Sequence, residues 1–305
     1  MVNSFLDMIT VQLIGGLGNQ MFQYAMGRAL ALRLHAPLCL NTSSFVNTQG
    51  SVAHIAWRLP LFPNIIGTVR HVDDRQPSYF HNCLRRINFF AQRKLHWNKP
   101  LFPNIVIEPH FEYWPGVEEI LAPVHLYGYW QSEKYFTHYT DQIRRDFTFP
   151  SLPEGAAKNY ATRIMACPDA ISVHIRRGDY VSNPQALAFH GLLGPVYYRS
   201  ALERIRDEVG STIVFLFSDD PQWGRDNFDP CGHVLEVVDL KLSESPQHDM
   251  HLMTLCRHHV IANSSFSWWG AWLGSPDGIT IAPKRWFADV GTNGDDIYPQ
   301  GWIRL

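Results

Sequence analysis

Short apolar runs rich in β-branched and aromatic residues recur through the second half of the chain, at Ile171–Ile175, Thr212–Phe217, Val234–Val238, His259–Ala262 and Gly278–Ala282. Runs of this length, bounded by turn residues, predict buried strands. Helical patterns stand between them. Tyr198, Leu202, Ile205 and Val209 share one face of a helix over Tyr197–Val209, and a second helix is expected over Pro246–His258, with Ser245 as N-cap and Pro246 at its first position. Alternating strand and helix predict a parallel, doubly wound α/β sheet. The first half opens in the same way. A strand over Met8–Ile14 runs into the turn G-G-L-G-N-Q (Gly15–Gln20) and then a helix, where Phe22, Ala25, Met26, Ala29, Leu30 and Leu34 mark one buried face. The expected architecture is two Rossmann-like α/β domains facing a cleft, residues 1–165 and residues 166–305.

Polar clusters sit where these strands end. R-R-G-D follows the strand at Ile171, S-D-D-P the next, and N-S-S-F-S-W-W-G the fourth. In an open parallel sheet, ligands bind off the carboxyl ends of the strands, so the three clusters converge on one edge. Arg176 and Arg177 offer guanidinium forks suited to a diphosphate; the alternative for Arg177 is a structural brace with Asp179. Pro221 suits the first position of a helix. That makes Asp220 its N-cap and leaves Asp219, after Ser218, as a free carboxylate matched to the N–H groups of guanine. Ser264 and Ser265, ahead of Phe266, place hydroxyls and N–H groups at a helix start, which serves either an anion or simple capping. His174 lies two residues before Arg176, on the same face of its strand.

Composition narrows the chemistry. The chain has 305 residues and a net charge of -2, so a nucleic-acid partner is excluded and any anion is bound by a few placed arginines. Its 5 cysteines form no C-x-x-C pair, which argues against a zinc site or a disulfide framework. No metal is expected: D-x-D is absent, and His248, Asp249 and His251 fit a helix face better than a metal site. No signal peptide or membrane-spanning run is read, so a cytoplasmic protein is expected. Basic residues over Leu84–Lys99 fit a solvated face or peripheral contact with the inner membrane. Aromatics crowd the segments from Leu101 to Gly116 and from Leu126 to Phe136, beside Glu112, Gln131 and Glu133, a composition that serves either sugar binding or packing. The glycine turn also resembles a dinucleotide fingerprint, but Met21 stands at the third glycine position and no acid ends the following strand, L-C-L-N-T.

Taken together, G-G-L-G-N-Q-M-F-Q-Y-A (15–25), G-Y-W-Q-S-E-K-Y-F (128–136), H-I-R-R-G-D-Y-V (174–181), F-S-D-D-P (217–221) and A-N-S-S-F-S-W-W-G-A-W-L (262–273) resemble the bacterial α-1,2-fucosyltransferases of glycosyltransferase family 11. The resemblance implies a GT-B-type enzyme that is inverting and needs no metal. Its donor would be GDP-β-L-fucose and its acceptor the 2-hydroxyl of a galactose-terminated oligosaccharide. Arg176 would bind the β-phosphate and act in catalysis, His174 and Asp219 would hold the guanosine, and Ser264 and Ser265 the diphosphate. Ser218, Phe266, Arg177 and Asp179 would complete that side. Leu17, Gly18 and Asn19 would approach the donor from the first domain, which would also hold the acceptor. In α-1,6 relatives a glutamate shortly after H-x-R-R-x-D serves as base, whereas here the chain runs Y-V-S-N-P. Asp179, His190 and Glu133 remain as base candidates. The alternative reading is a GDP-sugar or glycan-binding module without turnover.

Overall fold

The computed structural model describes residues 7–45, 56–66, 70–72, 104–240 and 246–305. It divides into two compact units, Met1–Pro150 and Ser151–Leu305. The expected boundary at 165 therefore moves to 150. The helix Ala156–Met165 belongs to the second unit because Ala161 and Ile164 pack in the cluster of Phe215 and Phe217. The basic stretch Leu84–Lys99 and the N-cap Ser245 lie outside the described residues. Among the described residues, no helix is long and apolar enough to cross a membrane.

In the first unit, β1 (Ile9–Gln12), β2 (Leu38–Asn41), β3 (Arg70–Val72), β4 (Ile105–Ile107) and β5 (Val124–Tyr127) form a parallel sheet in the order β3-β2-β1-β5-β4. Helix α1 (Leu17–Leu34) crosses from β1 to β2 and is buried on almost every side of its first four turns, not on a single face. Gln20 and Gln23 explain the difference, since both are fully buried yet serve backbone groups. Gln20 Nε2 donates to the carbonyls of Gly15 and Ala56. Gln23 Oε1 accepts from Ile14 N–H, and its Nε2 donates to Gly128 O. Such residues look polar in sequence but behave as core. Gly27 lets the helix approach β1 closely, because a Cβ there would lie 2.2 Å from Val11 Cγ2 and 3.0 Å from Leu38 Cδ1. Gly27→Ala is expected to destabilise the protein by about 1–3 kcal/mol despite its better helix propensity. Thermal unfolding should show a Tm several degrees lower.

The second unit holds β6 (Ile171–Ile175), β7 (Ile213–Ser218), β8 (Val234–Val237), β9 (His258–Val260), β10 (Thr280–Ala282) and β11 (Ile303–Arg304), all parallel, in the order β11-β10-β9-β6-β7-β8. In chain order its helices, after α2 (Pro63–Ile66) and α3 (Thr140–Asp146) of the first unit, are α4 (Ala156–Met165), α5 (Gly178–Ser182), α6 (Pro184–His190), α7 (Pro195–Val209), α8 (Pro221–Asn227), α9 (Pro246–Leu255) and α10 (Ser265–Trp272). Strand periodicity feeds two apolar layers. Ile171, Val173, Val214 and Leu216 pack with Tyr198, Leu202 and Ile205 of α7, while Phe215 and Phe217 pack with α4 and with Leu252 and Met253 of α9. Helix α9 ends at Leu255, short of the expected His258. The backbone N–H groups of Arg257 and His258 both donate to Ala170 O, which draws the chain into β9. Both units thus hold a parallel α/β sheet, and in the second unit helices cover both of its faces.

Candidate active site

In the second sheet the chain runs from β6 outward through β7 and β8, then returns to the other side of β6 with β9. The carboxyl ends of β6 and β9 therefore flank a topological switch point, where open α/β sheets bind ligands. Arg176 and Arg177 leave β6 there, Asp219 and Asp220 leave β7, and Asn263 and Ser264 follow β9. Arg176 Nη1 pairs with Asp219 Oδ2 at 2.8 Å, each side chain 24% exposed, so the guanidinium is fixed yet still reachable. Its carbon also lies 5.7 Å from the centre of the Tyr180 ring.

One expectation is corrected here. Asp219 is not free: besides Arg176, its Oδ1 accepts the backbone N–H of Arg177 at 2.9 Å. Gly178 makes this approach possible, since a Cβ there would lie 2.6 Å from Asp219 Oδ2. Arg177 braces the turn on Asp220 and Trp223. Its Nε meets Asp220 Oδ2 at 3.3 Å and its guanidinium stacks on Trp223, 4.1 Å from the ring centre. The side chain of Asp179 lies outside the described residues. Asp220 is the N-cap of α8 as the sequence predicts, its carboxylate accepting from Trp223 N–H, while Ser218 Oγ accepts from Asp220 N–H.

His174 is buried on β6 beside Phe266, with ring centres 5.6 Å apart. Burial pushes its imidazole down to about 4, against the pull of the Asp219 charge, so it is neutral at pH 7. Its Nδ1 has no hydrogen-bond partner among the described residues. Ser264 caps α10 by accepting from Phe266 N–H at 3.3 Å, and Ser265 opens the helix.

The first unit repeats this plan around β1 and β5. Gly15, at φ +77°, opens the turn into α1, and Leu17, Gly18 and Asn19 form the first helical residues. Asn19 Oδ1 accepts from Gln131 Nε2 at 2.8 Å, which joins two of the sequence motifs. Glu108 accepts from the N–H groups of Tyr129 and Trp130, holding the second motif in place. The half-buried rings of Phe111 and Tyr129 stack at 5.9 Å and 11° beyond the ends of β4 and β5.

Residues 93–305 match the sequence profile described as Glycosyl transferase family 11. The chain belongs to glycosyl transferase family 11. Among its relatives are an alpha-1,2-colitosyltransferase of Escherichia coli, 34% identical over 302 residues and covering 98% of this chain and 99% of the relative. The O-antigen biosynthesis glycosyltransferase WbnK of the same organism is 31% identical over 318 residues, covering 96% and 99%. Galactoside alpha-(1,2)-fucosyltransferase 2 of Mus musculus is 26% identical over 278 residues, covering 90% and 70%.

Two further polar residues of this family 11 glycosyltransferase stand at the carboxyl edge of the second sheet. Asp249 lies in the first turn of α9, which begins at the carboxyl edge of the sheet because it leads back from β8 to β9. Burial, with the Asp239 charge adding to it, raises its carboxyl to about 8, and Oδ1 has no partner among the described residues. In sequence His248, Asp249 and His251 fit a helix face, and residue type alone does not tell a buried carboxyl from a solvated one. Asn263 was passed over as part of a cap motif. Its Nδ2 donates to His190 O at 2.7 Å and Trp286 O at 3.2 Å, and its own carbonyl accepts from the Tyr180 hydroxyl.

The remaining base candidates are held differently. His190 stacks flat on Tyr180 at 4.7 Å. Glu133 opens a 3-10 turn of the first unit and is partly exposed.

Proposed function

We propose that the protein transfers L-fucose from GDP-β-L-fucose, with inversion and without a metal, to the 2-hydroxyl of a terminal β-galactoside. The observation that carries this reading is the convergence of Arg176, His174 and Ser264 on the switch point of the second sheet. The acceptor oxygen attacks the anomeric carbon as the bond to the β-phosphate oxygen breaks, and that bond's electron pair leaves with GDP. Arg176 offers N–H donors to the charge growing on the diphosphate, and Ser264 and Ser265 take its other oxygens at the start of α10. On the first unit, the Phe111–Tyr129 stack offers aromatic area suited to a pyranose. Departure of the diphosphate leads the reaction, so the hydroxyl proton needs only a weak acceptor. His190 and Glu133 remain the groups to test, together with Asp179.

Guanine offers two adjacent N–H donors, and these call for a carboxylate. Since Asp219 is already engaged, Asp249 takes this part in the reading, while neutral His174 contacts the nucleoside.

The relationship to a colitosyltransferase favours a second donor, GDP-colitose, whose sugar lacks the 3-hydroxyl of fucose. The test is incubation of both GDP-sugars with a panel of galactose-terminated glycans in the presence of a chelator, followed by linkage analysis of the product. A 2-linked fucoside formed at a rate within about twofold of that without chelator supports the reading. A product from GDP-colitose alone replaces the donor, and loss of activity on chelation removes the metal-free mechanism.

A further inference from the structure

Beyond β10 the chain folds back on itself and lines a cavity of about 350 Å³, whose walls include Lys284, Arg285, Trp286, Asp289, Asn293 and Tyr298. That volume suits one or two sugar rings. Of its acids, Asp295 is paired, with Oδ1 2.7 Å from Arg304, while Asp289 keeps its charge and accepts the Thr292 hydroxyl on Oδ2 at 2.6 Å. Lys284 and Arg285 are both exposed, and among the described residues neither has a carboxylate within ion-pair distance, so the wall carries one positive charge in excess. Trp286 is buried and meets the half-buried Tyr298 edge to face at 5.9 Å, while the Arg304 guanidinium lies 5.1 Å from the centre of the Tyr298 ring, so these rings brace the cavity wall. Gly294 keeps the loop tight, since a Cβ there would lie 3.1 Å from Trp286 Cβ.

The cavity is also tied to the carboxyl edge of the sheet. Asn263, one residue before Ser264, donates to Trp286 O, and Ala288 N–H donates to Phe189 O. We propose that this loop forms a second saccharide site, which takes an anionic sugar of the acceptor, bearing a carboxylate or a phosphate, and so helps select the acceptor. The excess positive charge of Lys284 and Arg285 supplies the attraction, and Asn263 the connection to the donor end. The proposal rests on the transferase reading above and extends it to the part of the acceptor beneath the galactose.

The decisive experiment compares three galactose-terminated acceptors of equal length: neutral, uronate-bearing and phosphate-bearing. In Lys284→Ala/Arg285→Ala, kcat/KM is expected to fall about tenfold for a charged acceptor, through KM, and less than about twofold for the neutral one. The KM for GDP-fucose should stay unchanged, and Lys284→Arg/Arg285→Lys should recover most of the loss. Comparison of the two charged acceptors tells carboxylate from phosphate. Titration of the same oligosaccharides into the wild-type protein without donor, followed by amide chemical shifts, tests the cavity even if no fucose is transferred. Shifts at residues 284–298 with a charged oligosaccharide and not the neutral one support the site. Equal losses for all three acceptors, a raised KM for GDP-fucose, or no shift at these residues overturns it.

Discussion

Arg176→Lys is expected to lower kcat about a hundredfold while changing the affinity for GDP much less. The guanidinium is held before any ligand arrives, by Asp219 Oδ2 at 2.8 Å on one side and the Tyr180 ring on the other. A fixed donor of this kind does most for the state in which charge has moved onto the leaving diphosphate, and less for the ground state. Lysine keeps the charge but loses the planar fork, so it cannot hold Asp219 and reach a phosphate oxygen in the same geometry. Asp219→Asn should give a smaller loss, because it loosens the arginine without removing it. Single-turnover kinetics with saturating GDP-fucose checks the prediction. A loss confined to KM, or a fall in the chemical step of less than about threefold, would assign Arg176 to ground-state binding alone.

Asp249→Asn should weaken GDP binding by about 10- to 100-fold, the range for a hydrogen bond to a charged group. It should also erase discrimination against inosine diphosphate, which lacks the guanine 2-amino group. The wild-type protein adds a pH signature. Its Asp249 carboxyl titrates at about 8, above its ordinary value of 3.8, so at pH 7 it is mostly protonated. Guanine donors prefer the ionised form. GDP binding at pH 7 should therefore release a proton, and affinity should rise with pH until it levels off above about 8. The same shift sets the sign for stability. Because the folded state holds this proton more tightly than the unfolded one, the stabilising contribution is complete below 3.8 and is lost as pH rises through about 8. Asparagine removes that loss. Calorimetry in buffers of different ionisation enthalpy measures the proton release. Wild-type binding that is flat from pH 6 to 9, or unchanged discrimination in Asp249→Asn, would sink the assignment.

Strands β1, β2 and β6 to β10 were readable because parallel strands write nearly continuous apolar runs, and Ile171–Ile175 was placed to the residue, whereas β3, β4, β5 and β11 do not stand out. The capping of α8 by Asp220 and of α10 by Ser264 was readable because a cap acts within three residues. What sequence did not disclose acts across the sheet. The hydrogen bond from Arg177 N–H to Asp219 spans 42 residues, and nothing local says that this carboxylate is taken. The single buried face expected of α1 fails for a related reason, since the burial of Gln20 and Gln23 depends on distant carbonyls. Asp249 was hidden because burial, and not residue type, gives it its chemistry.

The amide of Asn263 has a consequence for remodelling the enzyme. One side chain fastens the end of α6 and the loop after β10 to the turn that begins α10. Exchanging residues 284–298 for the corresponding loop of a relative should then be tolerated if the incoming backbone still presents a carbonyl at the position of Trp286. On the proposed reading, acceptor preference would then behave as a cassette, clipped onto a donor platform that itself stays untouched.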